Sequence, residues 1–145
     1  EDIQEMLVYR KSAYSFIVLS FLYPQLKFGQ VEFHQDHIHP ASWFTDSKLK
    51  KAGIPDSNWA QWQEIKDTLP NLQIMEGQEN ESKQATPFAD WITGQSNGHP
   101  NVPDIAKFKT DNFIPNSVNL TFKQFGKFYE QRRDLLEQAI RKVLK

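Results

Sequence analysis

Cysteine is missing from all 145 residues, which excludes disulfides, thiol nucleophiles and cysteine-based structural zinc in one step. With no sign of an oxidising compartment, the cytoplasm is the expected location. A surplus of charge is missing too. The formal net charge is -1 at pH 7, so bulk electrostatics do not drive nucleic-acid binding and only a local basic patch would track phosphates. Long apolar runs are also lacking: the longest, residues 13–23, is broken by Ser15 and Ser20 and falls short of the roughly 20 residues that span a bilayer. It reads as a buried helix, and no membrane partner is expected. Glu1-Asp2-Ile3 has neither an initiator Met nor the basic start of a signal peptide, and the expectation is a C-terminal fragment of a larger protein.

What is present is enough for one folded domain. Aromatics make up 13 % of the residues and hydrophobics 39 %, a composition that buries a core rather than staying disordered. Ile3, Met6 and Leu7, and then Ala13, Phe16, Ile17, Leu19 and Phe21 before Pro24, predict two helical pieces within 1–24. Val31 and Phe33 on one parity predict a strand over 27–38, and 71–75 reads as a second short strand. Between them, helices are expected over 45–51, closed by Gly53, and from Asp56 onward with Trp59, Trp62 and Ile65 as the apolar face. A helix opening at Gly77 carries Asn80, Lys83 and, beyond Pro87, which ends or kinks its first part, Phe88, Trp91 and Ile92. Residues 94–103 read as an exposed loop, with His99 a solvated side chain. Thr121 and Gln124 form a capping-box pattern ahead of a long amphipathic helix that buries Phe122, Phe125, Tyr129, Leu136, Ile140 and Val143. Its opposite face collects Lys123, Lys127, Arg132, Arg133, Arg141, Lys142 and Lys145, a solvated surface or one that meets backbone phosphates.

The residues that carry chemistry lie in the middle. Asp36-His37-Ile38-His39-Pro40 ends the first strand, Asn71 stands in Leu69-Pro70-Asn71-Leu72-Gln73, and Asn80-Glu81-Ser82-Lys83 follows. Together they supply a base that titrates near neutrality, oxygen ligands for a hard cation and an amide to hold the base. His34, Asp36, His37 and His39 are also four potential zinc ligands within one short stretch, although alternation along a strand turns neighbours apart. The same alternation creates a tension for Asp36 and His37: a regular strand cannot aim both at one phosphate.

In this strand, strand, helix order, the D-H-I-x-P, N-L-Q and N-x-x-K strings resemble HNH (ββα-metal) endonucleases. Lys11-Ser12-Ala13-Tyr14, Leu22-Tyr23-Pro24, Phe33-His34-Gln35 and Pro87-Phe88-Ala89-Asp90-Trp91 extend the resemblance outward, to the C-terminal nuclease domain of GmrSD-type restriction enzymes, which resist phage. The resemblance implies an α+β domain whose ββα core, about 30–94, contains a helical insertion. It is flanked by N-terminal helices over 1–24 and by a loop and C-terminal helix over 95–145. It implies His37 as general base, Asn71 as the residue that steers it, Asp36 and Asn80 as metal ligands, and Lys83 as a contact to a substrate phosphate. The expected cofactor is Mg²⁺, with Mn²⁺ a substitute and Zn²⁺ a poorer fit. The expected partners are DNA and a nucleotide-hydrolysing N-terminal part of the parent protein. The expected activity is metal-dependent DNA cleavage leaving 5′-phosphate ends; a non-catalytic HNH-fold module for DNA binding or domain contact is the competing class.

Overall fold

A computed structural model describes residues 2–26, 29, 32–77 and 83–145. It is an α+β fold in which helices surround a small antiparallel sheet. The elements are α1 (Ile3–Leu7), α2 (Ala13–Ser20), β1 (Phe33–His37), α3 (Asp46–Lys51), α4 (Trp59–Ile65), β2 (Leu72–Glu76), α5 (Phe88–Thr93), the two-residue strands β3 (Gln95–Ser96) and β4 (His99–Pro100), α6 (Ile105–Asp111) and α7 (Phe125–Val143).

Short-range chemistry sets most boundaries. Asp2 caps α1 by accepting from the Gln4 N–H at 3.0 Å, and Ser12 and Ser15 form a reciprocal capping box on α2. Thr45 caps α3, which stops at Gly53, whose φ of +76° is the left-handed conformation glycine adopts freely. The tryptophan-rich helix starts one turn late, at Trp59, behind a 3₁₀ turn over Asp56–Asn58.

β1 and β2 pair antiparallel with Asp36 opposite Gln73 and His37 opposite Leu72, and the Ile38 N–H reaches the Asn71 carbonyl at 2.8 Å to extend the ladder. Both faces of this sheet are covered. On one side Leu72 and Ile74 join Leu7, Leu19, Leu22, Leu69, Leu136 and Ile140; on the other Met75 joins Ile38, Phe44, Trp62, Phe88, Trp91, Phe125 and Phe128. α7 is long enough to serve both cores, its first half closing one and its second half the other. Because opposed residues share a face, His37 belongs to the side of α1 and α2 and Asp36 to the other.

Several sequence expectations change. α2 is not a buried helix: Ser15 and Leu19 are buried, but Tyr14 and Ile17, and Phe21 just beyond its end, are exposed, because only one stripe of this segment meets the core. Pro87 kinks no helix: it sits just before α5, where its missing N–H costs nothing, and of the two roles expected of it only the break is left. The stretch 94–103 contains a hairpin turned by Asn97 and Gly98, both at positive φ. α6, capped by Asp104 accepting from the Lys107 N–H, falls where no helix was expected. Thr121 makes no side-chain cap; its own N–H goes to Asn119, and a 3₁₀ turn over Phe122–Gln124 delays α7 to Phe125. Arg132 does not belong to the basic outer face. It is fully buried, donating to the carbonyls of Asn112 and Leu69 at 3.2 and 3.0 Å, and burial lowers its pKa to about 10 against the opposing effect of Tyr23. Among the described residues, no helix is long and apolar enough to cross a membrane.

Candidate active site

His37 is the last residue of β1, and its ring is held from one side. Nε2 lies 2.8 Å from Oδ1 of Asp67, with 16 % of the side chain exposed. With Nε2 donating to the carboxylate, Nδ1 is the ring nitrogen left to take a proton. Burial draws the imidazole below its ordinary pKa, and Asp67 opposes part of that shift, so the ring is neutral at pH 7. Burial pushes the Asp67 carboxyl up, but hydrogen bonds and charge from Lys66 and His37 outweigh it and hold it below the usual carboxylate value.

Asp67 is the partner of His37 that the sequence reading did not single out. It sits in the turn after α4, and its other oxygen takes Lys66 Nζ at 2.8 Å and the Arg10 guanidinium at 3.1 Å. The backbone brings these groups together: the Lys11 N–H donates to the Asp67 carbonyl at 2.8 Å, Arg10 bridges Thr68, and the Leu69 N–H reaches the Tyr9 carbonyl. Gln35 on β1 adds a second anchor, accepting from the Ser15 hydroxyl at 2.6 Å and donating to the Ser12 carbonyl at 2.8 Å. Arg10 and Lys66 therefore meet the carboxylate that holds His37, and the Lys11 charge acts on the ring as well. The sign of this rim is positive although the whole chain is slightly acidic.

Asn71 is wholly buried and fixes the frame of the site. Its Oδ1 accepts from the His39 N–H at 2.9 Å, while Nδ2 donates to the His39 carbonyl at 3.1 Å and to the Lys66 carbonyl at 2.9 Å. One amide thus locks both the chain leaving His37 and the turn that carries Asp67. The His-to-Asp distance is set by this clamp.

No family model matches this chain, and no curated protein is significantly similar to it.

Asp36 turns to the opposite side of the sheet, as the alternation of β1 requires. Its Oδ2 takes Lys83 Nζ at 2.9 Å and Gln73 Nε2 at 3.2 Å, with 12 % of the aspartate and none of the lysine side chain exposed. Lys83 also donates to the His37 carbonyl at 2.7 Å. Its ammonium points inward, so the spacing that placed it near a phosphate instead buries it beside a carboxylate. Burial lowers its pKa and Asp36 opposes the shift.

The four residues weighed as zinc ligands do not converge. His34 sits 3.5 Å from Glu32 and is partly exposed, His37 faces Asp67, and His39 is enclosed by Phe88, Phe122, Phe125 and Phe128. Burial, helped by the nearby Lys83 charge, lowers His39 to about 3 and keeps it neutral. Among the described residues, no group of three His, Cys, Asp or Glu side chains is placed to hold a metal. Asn80, the second expected ligand, lies outside the described residues. As the side chains stand, Asp36 does not fit a resident divalent ion, because an ammonium already meets its Oδ2.

Proposed function

We propose that this chain is an endonuclease domain that hydrolyses DNA phosphodiester bonds with His37 as general base. The observation that carries the reading is the His37–Asp67 pair inside a cationic rim: a neutral imidazole held by a carboxylate, flanked by Arg10, Lys11 and Lys66. His37 Nδ1 takes a proton from the attacking water, and Asp67 holds the ring and stabilises the imidazolium that forms. Arg10, Lys11 and Lys66 bind the phosphodiester and offset charge building on its oxygens. The new P–O bond to water forms as the P–O3′ bond breaks, leaving a 5′-phosphate and a 3′ oxygen that takes a proton from solvent to become a hydroxyl.

The ββα-metal architecture belongs to the same proposal. An antiparallel β1–β2 pair with Asp36-His37 closing the first strand and Asn71 just ahead of the second agrees with the first two elements expected of an HNH core, and residues 78–82, where the third element is expected to begin, lie outside the described residues. The sequence resemblance further supports a place in a restriction or phage-defence protein with a separate nucleotide-hydrolysing part.

The test is cleavage of supercoiled plasmid, with and without Mg²⁺ or Mn²⁺. The wild type is expected to nick, and His37→Ala to nick at least about 10²-fold more slowly, the usual minimum for a lost general base. Equal rates, or no nicking by the wild type under any of these conditions, would overturn the assignment.

A further inference from the structure

The Asp36 side of the sheet is built for a cation, and the cation it holds is the protein's own. Lys83 Nζ lies 2.9 Å from Asp36 Oδ2 and 2.7 Å from the His37 carbonyl, two oxygens of the kind that hard cations take. The Gln73 amide nitrogen donates to the same Asp36 oxygen at 3.2 Å, and its buried Oε1 has no hydrogen-bond partner among the described residues. Gln73 is itself fully buried, so this oxygen has no access to solvent. A nearly buried carboxylate is costly in a protein interior unless a positive charge shares the space.

We propose that Lys83 is the resident cation of an oxygen-lined site formed by Asp36 and the His37 carbonyl, and that a divalent ion enters this site only in exchange for the ammonium. The two occupants exclude each other because they share Asp36 Oδ2 and the His37 carbonyl, and because a second positive charge beside the first is strongly repelled where little solvent screens it. This goes beyond the hydrolytic reading and stands whether or not the chain cuts DNA.

The experiment is thermal unfolding of the purified chain titrated with Mn²⁺, for wild type, Lys83→Met, Lys83→Gln and Asp36→Asn/Lys83→Met. Lys83→Met keeps the buried aliphatic stem but leaves Asp36 unpaired. Lys83→Gln retains a neutral donor and guards against loss of the fold. Either single variant is expected to be stabilised by Mn²⁺ at concentrations at least about tenfold below those that act on the wild type, by the mass action of an ion that binds only the folded state. The double variant, lacking both charges, is expected to show no such stabilisation. Equal Mn²⁺ dependence in wild type and both single variants would overturn the exchange. A double variant that responds like Lys83→Met would place the ion elsewhere and overturn the site. The absence of any Mn²⁺ effect on either single variant would also overturn it.

Discussion

Asp36 and His37 are adjacent in the chain and separated by the sheet. On the Asp36 side, one carboxylate meets one ammonium that is wholly buried, and the pair is neutral. On the His37 side, one carboxylate is shared by an imidazole and two cations, with Arg10 63 % exposed and a third cation, Lys11, beside it. Pleating alone produced the separation, yet the two sides have different electrostatic character: a closed, compensated pair and an open, positive rim. A compensated buried pair contributes to holding the structure in register, whereas an uncompensated rim near solvent attracts an anion. The motif therefore divides its work across the sheet rather than gathering it at one point.

The sharpest way to break this contrast is through His37. His37→Ala is expected to lower nicking by about 10²- to 10⁴-fold while leaving the urea midpoint close to wild type; a large fall in stability with unchanged turnover would reverse the roles of the two sides. Next in size is the cost of cutting each carboxylate. Asp36→Ala strands a buried ammonium and is expected to cost about 3–5 kcal/mol, whereas Asp67→Ala, whose cations reach solvent, is expected to cost about 1 kcal/mol or less. Equal costs in urea unfolding would erase the distinction.

Asp67→Asn sharpens the open side. The carboxylate raises the His37 pKa against the burial that lowers it, so its loss moves the pKa further down. Since only neutral His37 accepts a proton, the acidic limb of the pH–rate profile is expected to lie below the ordinary histidine value of about 6.5 in the wild type and lower still in Asp67→Asn. The plateau should fall as the ring loses its orientation. Lys11 and Asp36, the other charges acting on the ring, remain in place. A limb that stays put, or moves up, would remove Asp67 from the mechanism. The smallest effects belong to the rim: Arg10→Ala and Lys11→Ala are expected to weaken duplex binding similarly for any sequence and to reduce the salt slope by about 1 each. An unchanged slope in a filter-binding or anisotropy titration would leave the rim without a phosphate role.

Much of this was legible along the chain because it is decided within a few residues. Ser12, Thr45 and Gly53 mark helix ends through local hydrogen bonds and fixed dihedrals, and the two strands of the motif lie close to where alternation put them. The resemblance implied Asn71 as the amide that holds the backbone near His37, and its bonds to the His39 backbone agree with that. Asn97-Gly98 and Asp104 carried equally local signals, a hairpin turn and a helix cap, that were legible but passed over.

What the sequence determined by itself was the set of elements, the amphipathic faces and the chemistry-bearing residues, all of which follow from spacing along one chain segment. The tertiary structure alone decided the pairings. Asp67 reached His37 from 30 residues away, Arg10 crossed 57 residues to Asp67, Lys83 turned inward to Asp36, and Arg132 left the basic face for a buried pair of carbonyls. A charge has no periodicity that names its partner. Whether it faces water, a phosphate or a buried carboxylate depends on which segments the packed cores bring side by side.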